Sequence, residues 1–289
     1  MTMRGKFLLR TLLTAAVLFG GGALPAQESS VPDAAAAISI FNHEHAIWSG
    51  LLKDFVHEGG LVDYQGLARR RGELDAYLHG LEVVTPADFA KWTAPQRQAL
   101  WINAYNAYAV RLILDHYPVD SIKDLGGMFS SVFSKEIIPL QRLADVDPRS
   151  QAGGSDKLTL GEVEHDILAK ISKKPLFHFA IVCASWSCPE LLNEAYTANK
   201  LSAQLEQQAR HFLADDEKNN QQIQGGRLRV SKIFDWAEDE LETYPGGIRG
   251  LIKDFGPASV VDAVDFGKVK WQYRDYDWSL NEWKTPPTK

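Results

Sequence analysis

An α+β fold is predicted by this sequence: a single helix-rich domain around a small, mostly antiparallel sheet. Long segments carry apolar residues at helical spacing and the strand-like runs are short. The two kinds follow each other irregularly, where a doubly wound sheet would alternate them strictly. No internal repeat is visible.

The first predicted helix covers 38–59, with Ile47, Leu51, Leu52 and Phe55 at helical spacing and Gly59-Gly60 to stop it. Val62-Asp63-Tyr64 reads as a short extended element, and 67–81 as a second helix with Leu74, Tyr77, Leu78 and Leu81 on one side. The third helix is the clearest. Thr93 and Gln96 make a capping box, Pro95 sits in the first turn, and apolar residues run to Leu114 before Tyr117-Pro118 ends it. Being apolar almost all round, this helix is expected at the centre of the domain. Val132 and 137–140 are candidate strand residues, and 145–156 a polar loop. A fourth helix, 160–172, opens on a second capping box, Thr159 with Glu162. Phe179 to Val182 is short and rich in large apolar residues, which predicts a core strand. Pro189 suits the first turn of a helix predicted to run to Leu213. Residues 215–226 are turn-rich, 228–234 alternate like a strand, 236–243 and 247–255 read as short helices, and 269–273 as a last strand.

Arg4, Lys6 and Arg10 precede an apolar run from Leu12 to Phe19 and small residues through Ala26, the pattern of a secretory signal peptide. Residues 27–37 are then a flexible lead-in and 38–289 one domain. The apolar run is too short to span a bilayer, so a product without a membrane anchor is expected, periplasmic or secreted after cleavage. The formal charge of -6 becomes -9 once the three basic residues of 1–26 are removed, which argues against nucleic acid as a partner. Two cysteines cannot make a disulfide scaffold, and a bridge between Cys183 and Cys188 would close too short a loop to stabilise the fold much. Reactivity is the better reason to have them.

Both cysteines flank the turn Ala184-Ser185-Trp186-Ser187. A thiol between a rigid strand and a helix N-terminus meets free backbone N–H groups and a positive dipole end, which favours Cys188 as the ionised sulfur. On the fourth helix, Glu164 falls in the middle of the apolar face of Leu160, Val163, Ile167, Leu168 and Ile171, so it needs a partner. His165 lies at the edge of that face. It reads either as an interface histidine beside a buried ion pair or as the base that takes a thiol proton. Neighbouring helical residues point about 100° apart, so Glu164 is not an easy direct partner for His165. Asn103 and Asn106 share a face of the apolar third helix, either as a structural network or as oxyanion donors or ring orienters. His178, opening the predicted strand, could also face the site. His43, Glu44 and His45 lack a third ligand at suitable spacing, so no metal and no cofactor are expected. Trp271, Tyr273, Tyr276, Trp278 and Trp283 wall a cleft or pack the tail on the core, and packing is the expected role.

Ordered motifs run from Val62-Asp63-Tyr64 through Trp101-Ile102-Asn103-Ala104-Tyr105-Asn106-Ala107 and Tyr117-Pro118-Val119 with Ser121-Ile122-Lys123-Asp124-Leu125. They continue in Leu158-Thr159-Leu160 with Glu164-His165, His178-Phe179-Ala180, Cys183-x-Ser185-x-Ser187-Cys188-Pro189, Glu194-Ala195-Tyr196, Ser231-Lys232-Ile233-Phe234-x-Trp236 and Tyr276-Asp277-Trp278. In these the chain resembles the family called domain of unknown function 547 (DUF547). The resemblance implies a helix-rich α+β domain with a proposed Glu-His-Cys constellation, similar in idea to papain-like and transglutaminase-like thiol enzymes. Carried over by motif, the constellation is Glu164, His165 and Cys183. The turn holding Ser185 and Ser187 would supply oxyanion donors, and Cys188 is the alternative nucleophile. The expected function is a cysteine-dependent hydrolase or acyl transferase acting on a peptide, γ-glutamyl or other small thiol or amide substrate. A binding module without turnover and a thiol redox protein are the alternatives, the second disfavoured because the spacing is not Cys-x-x-Cys.

Overall fold

The computed structural model describes residues 41–127, 131–144, 156–218, 223–224, 226–262 and 269–284. The expected signal peptide and lead-in, and most of the 145–156 loop, lie outside these residues. The described residues all belong to one compact unit, Phe41–Lys289.

Helix α1, Ala46–Phe55, buries Trp48, Leu51 and Leu52 but leaves Ile47 exposed. The predicted glycine stop works as a hairpin turn: Gly59 and Gly60 both take positive φ, and they join β1, Val56–His57, to β2, Leu61–Val62, antiparallel. The second predicted helix is two, α2 (Tyr64–Arg69) capped by Asp63, and α3 (Arg71–Glu82), which buries Leu74, Tyr77, Leu78 and Leu81 as their spacing requires. After the short α4, Pro86–Phe89, comes α5, Ala94–His116, opened by the Thr93–Gln96 capping box. From Ala99 to Val110 every residue of α5 is buried, so this helix is the centre of the core.

The predicted fourth helix is present, but Glu162–Leu168 winds as a π-helix before α6, Ala169–Ile171. Such wide turns are rare and recur at functional sites. Thr159 and Glu162 form the expected box, Thr159 N–H donating to Glu162 Oε2 at 2.7 Å and Glu162 N–H to Thr159 Oγ1 at 3.0 Å. Two predictions fail next. Phe179 to Val182 forms no strand; Pro175–Phe179 is a 3₁₀ helix and the chain then runs irregularly. Nor does Pro189 open a helix, because α7 begins only at Leu201 and ends at Ala214. The run of large apolar residues signalled burial correctly and geometry wrongly.

The remaining elements are β3 (Ile223–Gln224), β4 (Arg227–Val230), α8 (Ile233–Trp236), α9 (Glu238–Leu241), α10 (Gly247–Phe255), α11 (Ala258–Val261) and β5 (Lys270–Tyr273). β3 pairs with β4 antiparallel, but the longer pairing, β4 with β5, is parallel, from Arg227 opposite Lys270 to Val230 opposite Tyr273. α8 to α11 form the crossover that a parallel pair requires. The fold is thus helix-rich α+β, with helices packed around a central helix and, among the described residues, two small sheets where one mostly antiparallel sheet was expected. Nothing in this architecture supports the papain-like or transglutaminase-like part of the expectation.

Candidate active site

Parts distant along the chain meet at one cavity of about 830 Å³, among them the middle of α5, the π-helix with the 3₁₀ helix after it, and the irregular cysteine segment. Glu164, His165, His178, Cys183 and Cys188 all line it, as do Tyr105 from α5, Trp236 from α8, and Tyr276 and Trp278 from the C-terminal segment.

The π-helix sends Glu164 and His165 to different partners. His165 is half exposed, and its Nδ1 lies 2.8 Å from Glu240 Oε1 on α9. Glu164 instead meets His178, whose Nδ1 is 3.1 Å from Glu164 Oε1. The His178 side chain is 1% exposed, and its Nε2 is buried without a hydrogen-bond partner among the described residues. With Nδ1 committed to the carboxylate, Nε2 is the ring nitrogen left without a partner. Tyr105 lines the same cavity; burial, then the negative charge of Glu164, push its hydroxyl well above the ordinary range, so it remains a donor. The sequence pattern paired Glu164 with His165 in one constellation. The geometry makes His178 the histidine that Glu164 holds, and a histidine inside an apolar run between Phe177 and Phe179 was the signal for it.

Asn103 and Asn106 do not reach the cavity as donors. Asn106 Nδ2 donates to Ala180 O at 2.9 Å while its Oδ1 accepts from Val182 N–H at 2.8 Å. Asn103 does the same to one residue, donating to Tyr196 O at 2.8 Å and accepting from Tyr196 N–H at 3.0 Å. Each amide replaces a strand neighbour for buried irregular backbone, so of the two roles open to both, structural network or oxyanion donor and ring orienter, the bonds are those of the structural one.

The turn donors are also spent elsewhere. Trp186 N–H goes to Ser279 O, Ser187 N–H to Asp277 O and Cys188 N–H to Ser185 O, while Ser187 Oγ accepts from Asp277 N–H. Ser185 Oγ lies 3.4 Å from Cys183 Sγ. What the turn does provide is a cradle for one sulfur. Cys188 Sγ accepts from Cys183 N–H at 3.2 Å and from the Tyr276 hydroxyl at 3.1 Å. Cys183 Sγ lies 2.6 Å from it, and neither cysteine is in a disulfide. Burial opposes the ionisation of Cys188, but the Cys183 thiol, the Tyr276 hydroxyl and backbone N–H groups outweigh it and bring the thiol down to about 7. Cys183 moves the other way, well up, because it lies against Cys188 and is buried. Of the two sulfurs, Cys188 is therefore the one that ionises more readily. The helix N-terminus that suggested it is absent; a turn with Ala184 at φ 61° aims the N–H groups instead.

The C-terminal segment holds this turn from outside. Besides the bonds above, Asn281 N–H donates to Ala184 O, and Val62 N–H donates to Asn281 O while Trp283 N–H returns to Val62 O. Tyr276, Trp278 and Trp236 form a contiguous aromatic wall, with ring centroids 4.6 to 5.5 Å apart. Packing of the tail, the expected role, holds for Trp271, Tyr273, Tyr276 and Trp278, which lie partly buried against the core; Tyr276 and Trp278 line the cavity as well, and Trp283 stacks on His57 at 4.1 Å. His45, from the sequence pair considered for metal, is buried with Nδ1 2.8 Å from the Tyr77 hydroxyl.

Residues 89–213 match DUF547, described as a protein of unknown function. No curated protein and no solved structure matches the chain. The matched segment contains α5, Glu164, His178 and both cysteines, whereas Trp236, Tyr276 and Trp278 lie beyond it. Over residues 89–213 the chain is thus similar to the DUF547 family, a family of unknown function.

Proposed function

We propose that the cavity is the active site of a thiol-dependent hydrolase or acyl transferase acting on an amide carbonyl, in a peptide or a γ-glutamyl compound. The observation that carries this reading is the cradled Cys188 sulfur in the same cavity as a buried Glu164–His178 pair with a free Nε2. Cys188 attacks the carbonyl carbon as a thiolate, its proton having passed to His178 Nε2. The tetrahedral intermediate collapses with the leaving amine taking that proton, and a thioester remains on Cys188. Water, or an acceptor amine, then gives a proton to Nε2 and releases the acyl group. Glu164 keeps the imidazole oriented and stabilises its charged form.

The test combines alkylation with mass spectrometry. Iodoacetamide labelling of the wild type should rise with a midpoint near pH 7, persist in Cys183→Ser and vanish from that pH range in Cys188→Ser. Peptide and γ-glutamyl anilides should leave an acyl mass on Cys188 that accumulates in His178→Asn. Equal, slow labelling of both cysteines, or no acyl adduct on either thiol, would refute the proposal. We further propose that residues 1–26 direct export, on the strength of their basic and apolar pattern; a secreted or periplasmic product should begin near Gln27, and retention of the full N-terminus would overturn that.

A further inference from the structure

Cys183 has no part in the acyl chemistry proposed above, yet its thiol lies against the reactive sulfur. We propose that Cys183 and Cys188 are a hydroperoxide-reducing pair in which Cys188 is the attacking sulfur and Cys183 the resolving one. Spacing along the chain disfavours a redox pair, because five positions separate the cysteines. The fold removes that objection: the turn with left-handed Ala184 folds the chain back until the sulfurs are 2.6 Å apart, both reduced, and both on the wall of the same cavity.

The two sulfurs also differ in the way this chemistry requires. Cys188 Sγ accepts from donors that stabilise a thiolate, the Cys183 N–H and the Tyr276 hydroxyl. Cys183 Sγ lies against Cys188 Sγ, and that neighbour together with burial opposes its ionisation, so it is the sulfur that holds its proton. Tyr276 also reaches Cys183, at 3.8 Å, so one hydroxyl borders both sulfurs and the space where a peroxide oxygen would sit.

In the first step the Cys188 thiolate attacks the terminal oxygen of a hydroperoxide. The O–O bond breaks, the alkoxide takes a proton from solvent and leaves as an alcohol, and Cys188 becomes a sulfenic acid. Sulfur is oxidised by two electrons and the peroxide is reduced by two. In the second step the Cys183 sulfur attacks Cys188 Sγ, the S–O bond breaks, and the departing hydroxide leaves as water with the Cys183 proton. A disulfide remains, and an external dithiol regenerates the pair by exchange. The same oxidation would silence a Cys188 nucleophile.

The experiment treats the full chain at pH 7 with a small excess of hydrogen peroxide or cumene hydroperoxide and reads intact mass and peptide maps. Wild type should lose the mass of two hydrogens within one chain, lose iodoacetamide labelling, and regain both on dithiothreitol treatment. Cys183→Ser and Cys183→Ala should instead gain oxygen on Cys188, trapped by dimedone, with circular dichroism confirming that each variant is folded. Cys188→Ser should stay reduced under the same dose. Stepwise oxygen gain in the wild type without loss of hydrogen, a disulfide between chains, or sulfenic acid on Cys183 would overturn the proposal. Amide turnover is not read in this experiment, so the pair can pass where acyl chemistry fails, and fail where it passes.

Discussion

Helix α5 and the segment from Pro175 to Lys200 are both buried and both cross the middle of the domain, yet they satisfy their backbones in opposite ways. α5 makes its own hydrogen bonds from residue to residue, so its course depends on local sequence, a capping box at Thr93 and an apolar run. The second segment has one short 3₁₀ helix and otherwise borrows partners. Asn106 serves Ala180 and Val182, Asn103 serves Tyr196, Gln204 serves Ala195 and Thr197, Gln208 serves Glu190, and the C-terminal segment serves the turn 184–187. Buried polar backbone must be paired somewhere, and here the pairing comes from distant side chains. The difference explains where the reactive groups sit. A borrowed scaffold can hold N–H groups toward a sulfur, which a regular helix or strand interior cannot.

If that contrast is right, cutting a borrowed bond should cost much more than cutting a local one. Asn106→Ala leaves the Ala180 carbonyl and the Val182 N–H buried and unpaired, and should destabilise the domain by about 4 kcal/mol. In denaturant titration that would be the largest single loss outside the apolar core, and a loss near zero would break the comparison. Gly60→Ala comes next. At φ 69° its new Cβ would stand 2.6 Å from Glu190 Cα and Leu191 N, backbone atoms of the borrowed segment. A loss of about 3 kcal/mol is expected, seen as a fall in Tm.

Tyr276→Phe separates the chemistry from the scaffold. It removes one donor to the Cys188 sulfur while the ring keeps its place against Trp236 and Trp278. The donor favours the charged form, so its loss raises the thiol from about 7 by roughly one pH unit. Alkylation at pH 7 should slow about fivefold and recover at pH 9. An unchanged pH midpoint would show that Tyr276 only packs. The smallest effect belongs to the self-sufficient helix: Thr93→Ala removes one half of its capping box and should cost about 1 kcal/mol, or 2–4 °C in Tm. A larger loss would mean that α5 also depends on outside support.

Legibility followed the same division. The capping boxes at Thr93 and Thr159, the buried side of α3, the span of α10 and the central place of α5 could be read from spacing, since each depends on residues within one or two turns. The predicted strand at Phe179 and the predicted helix from Pro189 could not be read correctly. Apolar runs and prolines report burial and local preference, and both signals were overruled by amides arriving from α5 and α7. In the site, Glu164 was recognisable as a carboxylate that had to find a partner, and the two cysteines as the place for chemistry. The partner itself was not. His178 lies 14 positions from Glu164, on an element whose geometry the apolar pattern misstated. Tyr276 lies 88 positions from Cys188, and its contribution is one hydroxyl that no periodicity can announce.

By itself, then, the sequence determined the helix-rich composition of the domain, the capped starts at Thr93 and Thr159, the resemblance that residues 89–213 bear out, and the candidate side chains of the cavity. Tertiary structure decided which histidine meets the carboxylate, which sulfur collects the donors, and that the Asn103 and Asn106 amides go to backbone instead of substrate. The reason is physical. Capping and amphipathic spacing are interactions within a few residues, whereas the ionisation of Cys188 and the orientation of His178 depend on desolvation and on hydrogen bonds from residues brought together only when the chain closes on itself.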